Sequence, residues 1–234
     1  MSSTSDGKPI ERKFLRDNGL SLFFGAILLI SLVFQAFAGT ADANARARVD
    51  GMPILTVWQY VTSSEFGVDI AENWQSEYLQ FLLFILATVW LVQRGSPESK
   101  PLDQVGRESD KDQKVKSYAT KDSPKWAKAR DWRLPVFSHS LGLVMGLIFV
   151  LSWGAQLVAG TTAYNAERLQ NLQAPVSMGG YFLSADFWNR TLQNWQSEFL
   201  AVGSMVVLSI YLRERGSNES KPVGAPHEAT SDSG

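Results

Sequence analysis

Four apolar blocks, residues 20–38, 78–92, 141–159 and 199–212, alternate with polar stretches along the chain. A hydrocarbon core of ~30 Å takes about 20 helical residues, and a helix is favoured there because it satisfies its own backbone. The first and third blocks reach that length alone. The second and fourth reach it only if the polar segments NWQSEYLQ (73–80) and NWQSEFLA (194–201) continue the same helices. Ser63 and Ser184, each followed closely by an acid, supply helix starts, and no proline intervenes before Arg94 or Arg215. These helices are expected to run for about 30 residues, or about 45 Å. Short separate helices are expected over 41–49 and 162–170. The pattern predicts an all-α fold, a four-helix transmembrane bundle.

The pattern repeats. Aligning residue 19 on residue 140, an offset of 121, brings Gln35, Gly39, Thr40, Asn44, Tyr60, Ser63 and Phe66 onto Gln156, Gly160, Thr161, Asn165, Tyr181, Ser184 and Phe187. Between 73–101 and 194–222, 14 of 29 positions are identical. The chain therefore reads as an internal duplication. Each copy holds two apolar helices, so both copies enter a membrane from the same side. This predicts parallel hairpin repeats about a pseudo-twofold axis along the membrane normal, and disfavours inverted repeats. A cleavable signal ending at Ala36-Phe37-Ala38 is the rival for the first block, but the third block repeats its ending where no signal peptidase would act.

Charge sets the orientation. The N-terminal tail, the central linker and the C-terminal tail carry 4, 11 and 3 of the 22 Lys and Arg residues, against 4 in the two loops between paired helices. That asymmetry places both termini in the cytoplasm. The resulting plan is a cytoplasmic tail (1–15), a first hairpin (16–101), a disordered linker (102–123), a basic, Trp-bearing interfacial segment (124–136), a second hairpin (137–222) and a disordered tail (223–234). In the interfacial segment, Trp126 and Trp132 among Lys125, Lys128, Arg130 and Arg133 suit anionic lipid headgroups. A net charge of -1 gives no reason to expect nucleic acid, and the absence of cysteine with only two histidines leaves no thiolate chemistry or histidine-rich metal site.

Two motifs stand out from this frame. On a helix, Asn73, Ser76, Glu77 and Gln80 share one face, as do Asn194, Ser197 and Glu198, while Trp74, Tyr78, Phe81 and Ile85, and Trp195, Phe199 and Val202, share the other. The aromatic face suits lipid, so the polar face is expected to turn into the bundle. Glu77 would then lie about 22 Å along the helix from Val92, within the hydrocarbon, where a carboxylate needs water, a proton or a polar neighbour. The second motif is RGSPESKP, with RGSNESKP in the other copy. Arg94 and Arg215 can reach headgroups, Gly95 and Gly216 can end the helices in a left-handed cap, and Ser96 or Ser217 can open one short turn. The rest, Glu98, Lys100, Glu219 and Lys221, is a candidate cytoplasmic docking surface. Ser138, Gly142 and Gly146, answered by Ser21 and Gly25, predict a close crossing of the first and third helices.

At NWQSE and RGSxESKP the sequence resembles a family of small bacterial integral membrane proteins of unknown function. That resemblance implies a bacterial plasma-membrane protein with duplicated hairpins and carries no activity. No Ser-His-Asp set, metal cluster or nucleotide fingerprint can be assembled, so no enzyme, cofactor or metal is expected. The expectation is a membrane accessory or scaffold, partnered by the lipid bilayer and by itself or another membrane protein. The alternative is a small transporter or channel lined by the polar face.

Overall fold

The computed structural model describes residues 10–231, with side chains from residue 13 onward. The expected tail up to residue 9, and residues 232–234, lie outside the described residues. The chain divides into two units, Met1–Gly67 and Val68–Gly234.

In the first unit α1 (Ile10–Asp17) is followed at Asn18 by α2 (Gly19–Val49). The expected short helix over 41–49 is the last part of α2, whose 31 residues span about 46 Å. Nothing breaks the helix between Ala38 and Ala41, because Thr40 turns its hydroxyl onto the Ala36 carbonyl at 2.6 Å. Gly51, at φ +65°, ends α2 with the Met52 N–H bonded to the Ala47 carbonyl at 2.7 Å. The returning chain is held by Asn44, whose side chain accepts from the Leu55 N–H at 2.6 Å and donates to the Leu55 carbonyl at 2.8 Å. Sequence patterning missed α3 (Val57–Val61), one turn started by a reciprocal Thr56–Gln59 cap. It seats Tyr60 so tightly over Gly39 that a Cβ there would fall 2.3 Å from the phenol oxygen. Ser63 then opens α4 (Ser64–Trp90) by accepting from the Phe66 N–H at 3.3 Å.

The second unit contains most of α4, then turns and two 3₁₀ turns, α5 (Arg133–Ser138), α6 (Ser140–Gln170), α7 (Met178–Phe182) and α8 (Ala185–Tyr211). The arrangement seen around Asn44 and Gly39 recurs. Asn165 clamps the Val176 N–H and carbonyl at 2.8 and 2.9 Å, and Tyr181 covers Gly160, where a Cβ would fall 2.5 Å from the phenol oxygen. The α6 terminus differs in one respect: Leu172 stands at φ +54° where the first copy has Gly51. As with 41–49, residues 162–170 continue α6 instead of forming a separate helix.

Two expectations about packing are corrected. Gly142 and Gly146 meet leucines of α4, with their added Cβ positions 3.9 Å from Leu86 and 3.6 Å from Leu82, so the small residues make room for α4. And α4 and α8 stop at Trp90 and Tyr211, short of Arg94 and Arg215. Among the described residues there is no strand, and two helices, α2 and α6, are long and apolar enough to cross a membrane. The exposed Leu141, Leu147, Val150, Leu151 and Val158 give α6 an apolar outer surface suited to lipid.

Candidate functional site: the facing edges of α4 and α8

The RGSxESKP motif owes its form to how the two long helices end. After α4, Ser99 accepts from the Gln93 N–H at 2.8 Å and donates to the Lys100 carbonyl at 3.0 Å. After α8, Ser220 does the same with Glu214 and Lys221 at 2.9 and 3.0 Å. Within this loop the Ser96 and Ser217 N–H groups close tight turns on Gln93 and Glu214, each at 3.2 Å, with Gly95 and Gly216 at φ +84° and +83°. The glycines therefore serve a turn beyond the helix instead of capping it. Arg94 and Arg215 point outward and are exposed.

Each motif lysine then gathers the chain that follows. Lys100 reaches the Gly106 carbonyl and the Glu108 carboxylate, both at 3.0 Å. Lys221, only 1% exposed, donates to the carbonyls of Pro226, His227 and Ala229. The gathered loops close the helix ends: the Gly106 N–H bonds the Val89 carbonyl at 2.8 Å, and at the equivalent position His227 Nδ1 meets the Ile210 carbonyl at 3.1 Å. Beyond it, Thr230 accepts from the Gly95 N–H at 2.9 Å, and Ser231 bonds the backbone of Ser96 and Ser99. Composition had assigned these stretches to a disordered linker and tail. Within them the lysine ammonium groups supply hydrogen bonds to Gly106 and Glu108 and to Pro226, His227 and Ala229. The remainder of the linker is turns, with one 3₁₀ turn at Lys116–Tyr118.

Glu98 and Glu219 occupy the same place in the two motifs, and their side chains hydrogen-bond to each other. Burial, then the bond to Glu219 and its charge, pushes the Glu98 carboxyl up to about 7. The pair lines one end of an open cavity of 350 Å³, with Glu98 half-buried and Glu219 exposed. Its walls are the repeat-equivalent pairs Gln80 and Ala201, Phe81 and Val202, and Phe84 and Met205. Gln80 Oε1 is buried with no hydrogen-bond partner among the described residues.

Further along the helices stand Glu77, exposed, and Glu198, its equivalent, half-buried. Beyond them lies a polar cavity of 380 Å³ whose lining includes Asn73 with Asn194 and Glu72 with Gln193. Arg190 stands there among carboxylates, 3.3 Å from Glu72, 3.3 Å from Asp186 and 3.9 Å from Asp69. Asp186 also accepts from the Tyr181 hydroxyl at 3.1 Å, and burial with this charge beside it pushes the phenol up. Asn73 and Asn194 also donate along their own helices to the Asp69 and Arg190 carbonyls.

The predicted polar face is thus partly rotated. Ser76 is buried, but its hydroxyl bonds the Asn73 carbonyl on its own helix, as Ser197 bonds Asn194. Asn73 and Glu77 are exposed, and besides the Glu72–Arg190 pair α4 is joined to α8 by Gln75, fully buried, whose Oε1 accepts from Trp195 Nε1 at 2.8 Å. Trp195, Val202 and Phe81 had been assigned to lipid. Val202, half-buried, lines the cavity, Phe81 borders it while remaining 47% exposed, and Trp195 joins Phe149, Phe182, Phe187 and Trp188 around Trp153. The error has a physical source: a Trp counted as apolar carries an N–H that seeks an acceptor when buried. Glu72 and Arg190 were missed as well. Their signal was present, since Asp69 and Arg190, opposite in charge, fall at the same place in the two copies.

An all-helical protein with two membrane-length apolar helices, its remaining long helices facing each other, is the class these features define. The chain belongs to DUF6766, a domain of unknown function, whose family pattern matches residues 11–232. No curated protein and no solved structure matches it.

Proposed function

We propose that this is a multi-pass protein of the bacterial plasma membrane that moves small cations, protons included, between α4 and α8. In this reading both hairpins cross in the same direction and the termini and RGSxESKP loops are cytoplasmic. One observation carries it: α4 and α8 with the loops that follow them line two clefts in common, with Glu72 at one and Glu98 with Glu219 at the other, and Glu77 and Glu198 fall between these along the helices. Ionisable groups within a membrane bundle mark ion and proton pathways, because their desolvation is otherwise unrewarded. Purified protein in liposomes should conduct a cation or proton current that Glu77→Gln with Glu198→Gln abolishes while the fold is retained. No flux from the wild-type protein, or unchanged flux from the double variant, contradicts the proposal.

A scaffold role is the second reading. It is favoured by the loops at the motif end, where Ser99, Lys100, Ser220 and Lys221 are committed to internal bonds while Arg94 and Arg215 face outward. Purification in mild detergent should then recover a stoichiometric partner or a homo-oligomer, and a lone monomer opposes it.

A further inference from the structure

The cavity lined at one end by Glu98 and Glu219 combines features that the proposed cation path does not by itself require. A route for hydrated ions needs polar walls, yet here Phe81, Phe84 and Met205 form the sides. The polar groups that line it are two carboxyls and the amide of Gln80, and Gln80 Oε1 has no hydrogen-bond donor among the described residues. Neither carboxyl is in an ion pair among the described residues, while Lys100 and Lys221 of the same motifs are turned to the loops that follow them. Uncompensated negative charge, aromatic faces and an apolar body of space are the recognition elements of an organic ammonium ion, whose charge is spread over alkyl groups.

We propose that this cavity binds small quaternary ammonium cations with an apolar substituent. Glu98 and Glu219 supply the counter-charge, Phe81 and Phe84 the cation–π faces, and Gln80 Oε1 the negative end of a dipole. This rests on the cation-path reading and names the class of solute that would use its motif end. The volume of 350 Å³ lies in the range of small-molecule sites and admits one aralkyl ammonium ion. Occupancy is linked to protonation. The charged or titratable groups facing Glu98 across this cavity and the adjoining one of 220 Å³ reduce to Glu219, so a bound cation competes with the proton held by the pair.

The test is direct binding of benzyltrimethylammonium to the full chain in detergent, by calorimetry or by ligand-observed NMR. This probe keeps its charge at every pH. Saturable binding is expected, weakening by about tenfold or more in Glu98→Gln and in Glu219→Gln, by several-fold in Phe84→Leu, and falling as pH drops below about 7. Neopentylbenzene, the neutral isostere, should not compete. Circular dichroism and size-exclusion profiles matching wild type confirm that each variant is folded, and Arg94→Gln, outside the cavity, should bind as wild type does. Equal binding of the neutral isostere, or pH-independent binding unaltered by Glu98→Gln, or no binding, overturns the inference. Proton or metal-cation flux without benzyltrimethylammonium binding sinks the inference and leaves the path standing. Binding without any flux does the reverse.

Discussion

The two copies offer paired residues whose differences can be read as physics. Gly51 and Leu172 occupy the same left-handed position after α2 and α6, at φ +65° and +54°. An L-residue there loses ~1 kcal/mol or more to the contact between Cβ and the following carbonyl, and Leu172 recovers none of it by packing, being 98% exposed. Leu172→Gly should therefore raise stability by up to about 1 kcal/mol, visible as a higher Tm in detergent, with an unchanged or lower Tm as the contrary result. At Asn165 the opposite holds. Removing its side chain strands the N–H and carbonyl of Val176, so Asn165→Ala should cost ~2 kcal/mol, and Asn165→Asp, which keeps only the acceptor, should fall between. Gly160→Ala should lower Tm as well, since Tyr181 is 1% exposed and has nowhere to move. Identity at these positions was legible in the sequence as a list of matching letters. Their roles were not, because a clamp between residues 11 apart has no periodic signature.

At the scale of elements, the apolar blocks located all four long helices, since burial or lipid exposure of such stretches leaves the chain little choice. Their ends were misjudged. Propensity carried α4 and α8 on to the arginines, whereas Ser99 and Ser220, six residues beyond Gln93 and Glu214, take the amide bonds that further helix would have used. The loops so formed should respond to pH through Glu98. With its carboxyl raised from 4.5 to about 7, the folded chain holds a proton that the unfolded chain gives up, so stability at this junction is complete below about 4.5 and is lost as pH rises through about 7. Amide exchange over 93–99 should accelerate across that window at constant intrinsic rate, and Glu98→Gln should flatten the response. Exchange that slows with rising pH after the same correction would contradict the assignment. The rotation of the polar face belongs to this scale too. A helix wheel places Asn73, Ser76, Glu77 and Gln80 together, but the partner that decides which of them turns inward is Trp195, 120 residues away.

For the whole molecule the account makes one geometric claim from which the function proposals follow: α4 and α8 face each other, with residues 121 apart in the sequence on the two sides. Charge counts predict a topology for it, and cysteines introduced into the tails should be labelled from the cytoplasmic side only. Labelling from the other side would reverse the placing of the motif end, though not the pairing of the helices. The pairing itself is open to a direct measurement because the chain has no cysteine of its own. Glu98→Cys with Glu219→Cys, oxidised in native membranes, should form a disulfide within one chain in high yield, while Arg94→Cys with Arg215→Cys, whose side chains point outward, should not. Efficient linkage of the arginine positions, or linkage of the glutamate positions only between separate chains, would show that the two copies do not meet along this axis.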